Sequence, residues 1–131
     1  MSLEAGVLLS VTEEPIYWHE PADRSISALP DSRILWNHIW DNRNRILGFA
    51  HSHPLGIIYP SQEDITTFSA IEIAIGKRLL WPILTKEVIT YWRWQGPNKF
   101  NYRQIYDFHS SNKKWIHKLY NISYSHKFYD V

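Results

Sequence analysis

Short apolar runs separated by polar, turn-forming residues predict buried β-strands in the first part of the chain. The runs cover residues 7–11, 16–18 and 46–50, and each is too short to favour a helix. Residues 21–30 are rich in Ser, Ala, Asp and Pro, which predicts a connecting loop. Three strands and one long loop are therefore expected before the middle of the chain.

Two segments show helical spacing of apolar residues behind a capping sequence. Asp31 and Ser32 can cap a first helix that continues toward Asn42. Ser61 is followed three residues later by Asp64, a capping-box pattern that predicts a second helix over residues 62–78. The expected inward faces carry Ile34, Leu35, His38 and Ile39 in the first helix, and Ile65, Phe68, Ile71, Ile75 and Leu79 along the second run.

The last third of the chain is predicted to add three more strands and a helix. Residues 79–84, 88–94 and 100–106 are β-rich and should form a meander, with a turn at residues 95–98. Ser111 can cap a final helix, and the residues after it are expected to be loose. The predicted fold is an α/β sandwich with a central mixed, mostly antiparallel sheet between helices.

Composition limits the possible classes of protein. A length of 131 residues suits a single domain over 1–131, with residues 107–131 as its C-terminal helix and tail. The chain has no cysteine, which excludes disulfides, thiol nucleophiles and cysteine-containing metal sites. The net charge of +1 argues against nucleic acid as a partner, although the C-terminal segment is mildly basic and aromatic. No membrane span or secretory signal is recognisable, so a cytoplasmic protein is expected; the oligomeric state stays open.

His51, His53 and Asp64 are the predicted metal ligands. Side chains two residues apart in a strand point to the same side, so both imidazoles can face one point at the end of the third strand. Asp64 lies in the first turn of the next predicted helix, where its carboxylate can supply a third ligand. Two histidines and one carboxylate are a ligand set for catalytic zinc, which keeps its fourth position for water.

Glu4 and Ser61 are the predicted catalytic residues. Glu4 precedes the first strand, and it would face the metal site as a general base if that strand pairs with the strand over residues 46–50. Ser61 offers a hydroxyl that can stabilise an oxyanion, or it can serve only as a helix cap.

The spacing of these residues resembles a known family signature. His51, His53, Ser61 and Asp64 stand in an H-x-H, seven residues, S-x-x-D arrangement with Pro-x-Gly and Pro-Ser between, and residues 4–10 read Glu-Ala-Gly-Val-Leu-Leu-Ser. This pattern resembles the JAMM (MPN-plus, JAB-domain) metalloproteases of compact prokaryotic type, over residues 4 to about 106. The resemblance implies a cytidine-deaminase-like sandwich, with His51, His53 and Asp64 binding Zn²⁺, Glu4 as base and acid, and Ser61 at the oxyanion.

The resemblance also implies a function, and the sequence departs from the family pattern in two respects. Members cleave peptide or isopeptide bonds in proteins, often after the C-terminal glycines of ubiquitin-like proteins, and a sulfur-carrier protein is a related expected substrate. A helix usually precedes the catalytic Glu, whereas three residues precede Glu4 here, which motivates the alternative of an inactive, zinc-retaining interaction module. A RadC-like role with DNA is the third hypothesis. No insertion follows the second helix, so selectivity for a ubiquitin linkage is not expected.

The other histidines are interpreted structurally. His19 lies before Pro21, which would interrupt the helix that a helical zinc motif requires, so a loop is expected. His38 is expected at the core boundary. Solvated surface positions are expected for His109, His117 and His126.

Overall fold

The computed structural model describes residues 2–124 as one six-stranded sheet with three helices. The strands are β1 (Gly6–Ser10), β2 (Pro15–His19), β3 (Ile46–Ser52), β4 (Trp81–Leu84), β5 (Ile89–Trp94) and β6 (Tyr102–Ile105), and the helices are α1 (Arg33–Asp41), α2 (Gln62–Ile75) and α3 (Lys113–Ser123). The strand order is β2-β1-β3-β4-β5-β6, and the β3/β4 pair is parallel while the others are antiparallel. The predicted α/β sandwich with a mixed, mostly antiparallel sheet is confirmed.

Alternation along the strands divides the core between the two faces of the sheet. Leu8 packs on one face with apolar residues of α1 and α2, such as Leu35 and Phe68. Its neighbours Val7 and Leu9 point the other way and pack against α3. Because successive side chains of a strand alternate between faces, β1 can be buried on both sides. This places β1 and β3 in the middle of the sandwich.

Several element boundaries differ from the prediction. β1 ends at Ser10 and leaves Val11 59% exposed. β3 continues two residues further than expected, through Ser52. α2 ends at Ile75 because Gly76 adopts a left-handed conformation with φ 67°, so the helix does not reach residue 78.

The strands of the meander are shorter than the apolar runs that predicted them. β4 begins at Trp81, after a single bridge between Gly48 and Leu80, and β6 spans four residues rather than seven. The meander itself is confirmed, since β4, β5 and β6 are consecutive antiparallel neighbours.

Two helix predictions need correction. Ile34 was expected on the inward face of α1, but it is 58% exposed, and only Leu35 and Ile39 of that helix are buried. Asn112, not Ser111, caps α3, because the backbone and hydroxyl of Ser111 are hydrogen-bonded to Glu13. The predicted loose tail after α3, with His126, lies outside the described residues. In residues 2–124, none of the helices has the length and apolar character that crossing a membrane would require.

Candidate metal centre

The strand register brings Glu4 beside the two histidines. β1 is antiparallel to β3, with Gly6 opposite His51. Ahead of the strand, the backbone N–H of Ser52 donates to the carbonyl of Ala5 at 3.0 Å, which continues the pairing toward Glu4. Glu4 therefore lies beside the end of β3, as its predicted role as a general base requires.

Three ligand atoms converge at the end of β3. The Nε2 atoms of His51 and His53 lie 2.9 Å apart. Asp64 Oδ2 lies 3.3 Å from Nε2 of His51 and 3.1 Å from Nε2 of His53. Both histidines are buried, and the Asp64 side chain is 21% exposed. The structure thus brings the three predicted ligands to one point.

The capping box of α2 holds Asp64 in this position. The Asp64 N–H donates to Ser61 Oγ at 3.0 Å, and the Ser61 N–H donates back to Asp64 Oδ2 at 2.8 Å. This reciprocal arrangement satisfies two backbone donors at the start of the helix, where a negative side chain is also favoured by the helix dipole. The sequence motif S-x-x-D therefore has a local structural role as well as a place at the candidate site.

The chemistry of the three atoms calls for a shared cation. His53 Nδ1 must donate its hydrogen to the carbonyl of Ile57 at 2.8 Å, which leaves Nε2 with a lone pair in the neutral ring. Lone pairs of nitrogen and carboxylate oxygen repel one another unless a proton or a metal lies between them. Bonds of 2.0–2.1 Å at tetrahedral angles separate zinc ligands by about 3.3 Å, close to the separations found here. The residues present fit a zinc ion.

The charges at this point are mutually stabilising. Burial alone raises the pKa of Asp64, but the nearby His51 charge and the hydrogen bonds from both histidines outweigh it and hold that pKa far below its usual range. Burial lowers the pKa of His53, but its hydrogen bonds to Asp64 and Ile57 and the negative charges of Asp64 and Glu4 together outweigh burial and leave the pKa above its ordinary value. Positive charge is favoured here.

Glu4 completes a buried group with the two histidines. A carboxylate oxygen of Glu4 and a ring nitrogen from each of His51 and His53 lie within 4.8 Å of one another, close enough to hold a metal ion. Burial raises the pKa of Glu4 to about 7; Asp64 and Glu63 add to the rise, and His53 opposes it. A carboxyl group with this pKa can both take up and release a proton near neutral pH.

A second set of residues holds the backbone of Glu4, and sequence reasoning missed all of them. The Glu4 N–H donates to the carbonyl of Ser25 at 2.8 Å, and Arg24 Nη1 donates to the Glu4 carbonyl at 3.2 Å. On the far side, Ser52 Oγ accepts from the Ala5 N–H at 3.0 Å. The position of Ser52 between the two histidines was the one signal that could have pointed to it.

The histidines outside the site differ from one another in burial and in contacts. His19 was expected in a loop, but it ends β2, is buried, and contacts the carbonyl of Pro30 through Nε2 at 2.6 Å. His38 is half-buried and stacks on Tyr17 with ring centroids 4.2 Å apart, as expected for a boundary residue. His109 and His117 are exposed.

A cleft of about 590 Å³ opens from the candidate metal centre. It lies between the loop at residues 26–31, the loop at residues 55–60, helix α2 and the sheet. Its lining includes all five predicted site residues: Glu4, His51, His53, Ser61 and Asp64. A substrate in this cleft would therefore contact the metal centre.

Comparison with known families agrees with this arrangement. The family model for prokaryotic homologues of the JAB domain matches residues 4–109, a range that begins at Glu4 and includes every predicted site residue. A search of curated proteins finds no match.

Proposed function

The chain belongs to the prokaryotic JAB-domain homologues, and we propose that it is a zinc-dependent peptidase or isopeptidase. The observation that carries the proposal is the convergence of His51 Nε2, His53 Nε2 and Asp64 Oδ2 within 3.3 Å, with Glu4 alongside. The proposed substrate is a protein or peptide, including the tail of a ubiquitin-like or sulfur-carrier protein. The cleft at the metal centre, with a volume of about 590 Å³, supports the binding of such a substrate beside the ligands.

His51, His53 and Asp64 would hold the ion, and Glu4 would remain free. Asp64 is the better ligand of the two carboxylates because its Oδ2 lies 3.1 Å and 3.3 Å from the histidine nitrogens. The corresponding group of a Glu4 oxygen and the two histidine nitrogens is closed only within 4.8 Å. Bound zinc would supply a Lewis acid that polarises the scissile carbonyl and acidifies a water molecule.

Glu4 would move the proton. Its carboxylate accepts a proton from the attacking water as the oxygen bonds to the carbonyl carbon. The same carboxyl group then donates that proton to the leaving nitrogen, so that the C–N bond breaks to give a carboxylic acid and an amine. The pKa of about 7 suits both steps, because a stronger acid would not take the proton and a weaker one would not return it.

Ser61 would stabilise the oxygen of the scissile carbonyl. Its Oγ accepts a hydrogen bond from the Asp64 N–H, so its own hydrogen stays available for donation. The side chain is exposed and lines the cleft at the positive end of the α2 dipole, where developing negative charge is favoured. Loss of one such donor typically slows the reaction by two to three orders of magnitude.

Paired measurements of metal content and cleavage test this assignment. We expect His53→Ala to lose zinc, measured by elemental analysis of the purified chain. We expect Glu4→Gln to retain one zinc per chain and to lose cleavage of a peptide mixture by at least a hundredfold. Glu87→Gln, a change of an exposed glutamate, should alter neither.

Other outcomes would overturn the proposal or favour a different function. Zinc that cannot be loaded onto the unaltered chain would overturn the proposal. Stable zinc with no cleavage of any protein or peptide would favour the zinc-retaining interaction module. Retention on DNA that weakens as salt rises would favour the DNA-associated role.

A further inference from the structure

The inner end of the cleft is apolar and begins at the candidate metal ligands. Phe68 of α2 packs edge-on against the ring of His51, with ring centroids 6.3 Å apart. Behind it, Trp81 stacks on Phe68 with centroids 4.2 Å apart. Both aromatic residues line the cleft and are almost completely buried. An apolar surface therefore starts directly beside His51.

The outer rim of the same cleft exposes large apolar side chains on both sides. Ile26 on one loop is 45% exposed, and Leu55, Ile57 and Tyr59 on the opposite loop are 58%, 54% and 61% exposed. Single exposed apolar residues are common on protein surfaces, but a set around one concave opening is typical of a binding site. These residues continue the apolar surface outward from the metal centre.

The charged groups at the opening restrict which substrate side chains the cleft can bind. Asp31 and Glu63 are exposed acids that line the cleft, and the carboxylates of Glu4 and Asp64 lie at its catalytic end. No lysine or arginine is among the lining residues that the structure describes. An acidic side chain would therefore meet like charges, whereas an apolar side chain would be removed from water.

We propose that this cleft binds a bulky apolar side chain, such as Leu or Phe, on the substrate residue next to the cleaved bond. The inference rests on the proposed peptidase function, because it uses the metal centre to place the scissile carbonyl. A carbonyl held by Ser61 beside the candidate metal ligands places the adjoining side chain in the cleft that Phe68 lines next to His51. A glycine at that position, as at the end of a ubiquitin-like tail, would leave the apolar surface in contact with water. Within the proposed substrate class, the cleft therefore favours other proteins and peptides over such tails.

Cleavage of a randomised peptide mixture, with products identified by mass spectrometry, tests the preference. The zinc-loaded chain should cleave with Leu or Phe enriched at one position flanking the broken bond. Individual peptides should then show kcat/KM about tenfold to a hundredfold higher with Leu or Phe than with Ala at that position. Cleavage without this enrichment, or with Gly or an acidic residue favoured, would overturn the inference and leave the peptidase function intact.

A substitution that narrows the cleft gives a matched comparison. Thr67 lines the cleft on α2, whereas Ala70 is exposed on the same helix and does not line it. Thr67→Phe should reduce the Leu-to-Ala ratio of kcat/KM by about tenfold or more, since the added ring occupies the space. Ala70→Phe, which adds the same ring outside the cleft, should leave the ratio unchanged. Equal ratios in both variants would contradict the assignment.

Binding without catalysis separates this inference from the proposed function. Glu4→Gln protein labelled with ¹⁵N can be titrated with acetyl-Gly-Leu-Gly-amide and with the Ala and Glu analogues. The Leu peptide should shift the amide signals of Leu29, Thr67 and Phe68, which all line the cleft. The Ala and Glu peptides should shift them at least tenfold less at equal concentration. Selective binding supports the inference even if no peptide is cleaved, and equal or absent shifts overturn it.

Discussion

Glu13 is a buried carboxylate whose purpose is structural. It lies in the β1–β2 turn with a positive φ of 61°, and it accepts hydrogen bonds from Ser110, Ser111 and Trp115. Burial alone raises its pKa, but these hydrogen bonds outweigh burial and hold the pKa below its ordinary value of 4.5. The turn is thereby joined to the beginning of α3.

We expect Glu13→Gln to destabilise the fold by about 1–3 kcal/mol at pH 7, because buried donors lose a charged acceptor. The lowered pKa means that the folded chain favours the ionised carboxylate, so this stability is present above about pH 4.5 and is lost as the pH falls through the folded-state pKa. Urea denaturation at pH 7 and pH 3 measures it, with Glu87→Gln as control. A gap between unaltered chain and variant that widens in acid would contradict this account.

Helix α3 holds the segment that carries Glu4. The helix begins at Lys113, after the last residue that the family model matches. The N–H of Leu3 donates to the carbonyl of Ser123 at 3.0 Å, and Ser123 Oγ donates to the carbonyl of Leu3 at 2.6 Å. The hydroxyl oxygens of Ser123 and Ser52 lie 2.7 Å apart. One hydrogen-bonded network thus joins α3, the segment before β1 and the end of β3.

Removal of the Ser123 hydroxyl should weaken this junction. We expect Ser123→Ala to destabilise the chain by about 1–3 kcal/mol in chemical denaturation, since the partly buried Leu3 carbonyl and the buried Ser52 hydroxyl lose a partner. Asn121→Ala, an exposed change in the same helix, should cost less than about 0.5 kcal/mol. Similar losses in the two variants would show that the network does not stabilise the fold.

Metal binding should be visible in the stability of the molecule as a whole. The three converging ligand atoms exist as a group only in the folded chain, because Asp64 and the histidines come from different elements. An ion that binds only the folded state stabilises it by about 2.7 kcal/mol at a hundredfold excess over Kd.

We expect added zinc to raise the melting temperature of the chain and a chelator to reverse the rise. His53→Ala should abolish the effect, and His109→Ala, a change of an exposed histidine, should leave it in place. Scanning calorimetry with and without zinc measures the shift. An equal rise in His53→Ala would place the zinc elsewhere on the molecule.

Local patterns were sufficient to predict most elements and to select the five candidate residues that the structure brings to one cleft. The capping box at Ser61 and the two-residue spacing of His51 and His53 depend only on neighbours in sequence, and both local arrangements are present in the structure. Element ends were less predictable. Gly76 ended α2 through its left-handed conformation, and Ser111 lost the cap of α3 because Glu13, 98 residues earlier, binds it.

Contacts between distant segments were decided by the tertiary structure alone. Gly48 looks like an ordinary strand glycine, yet a Cβ there would lie 1.8 Å from the carbonyl oxygen of Leu80, so the β3–β4 approach needs glycine. Glu72 is likewise a buried acid whose partners Leu79, Trp81 and Tyr102 come from the following strands and their connections. The sequence by itself determined the elements, the ligand types and their local spacing, because periodicity and capping act between near neighbours. The placement of Glu4 beside the histidines, its support by α3 and the apolar cleft arise only when strands far apart in sequence pair and helices cover the sheet.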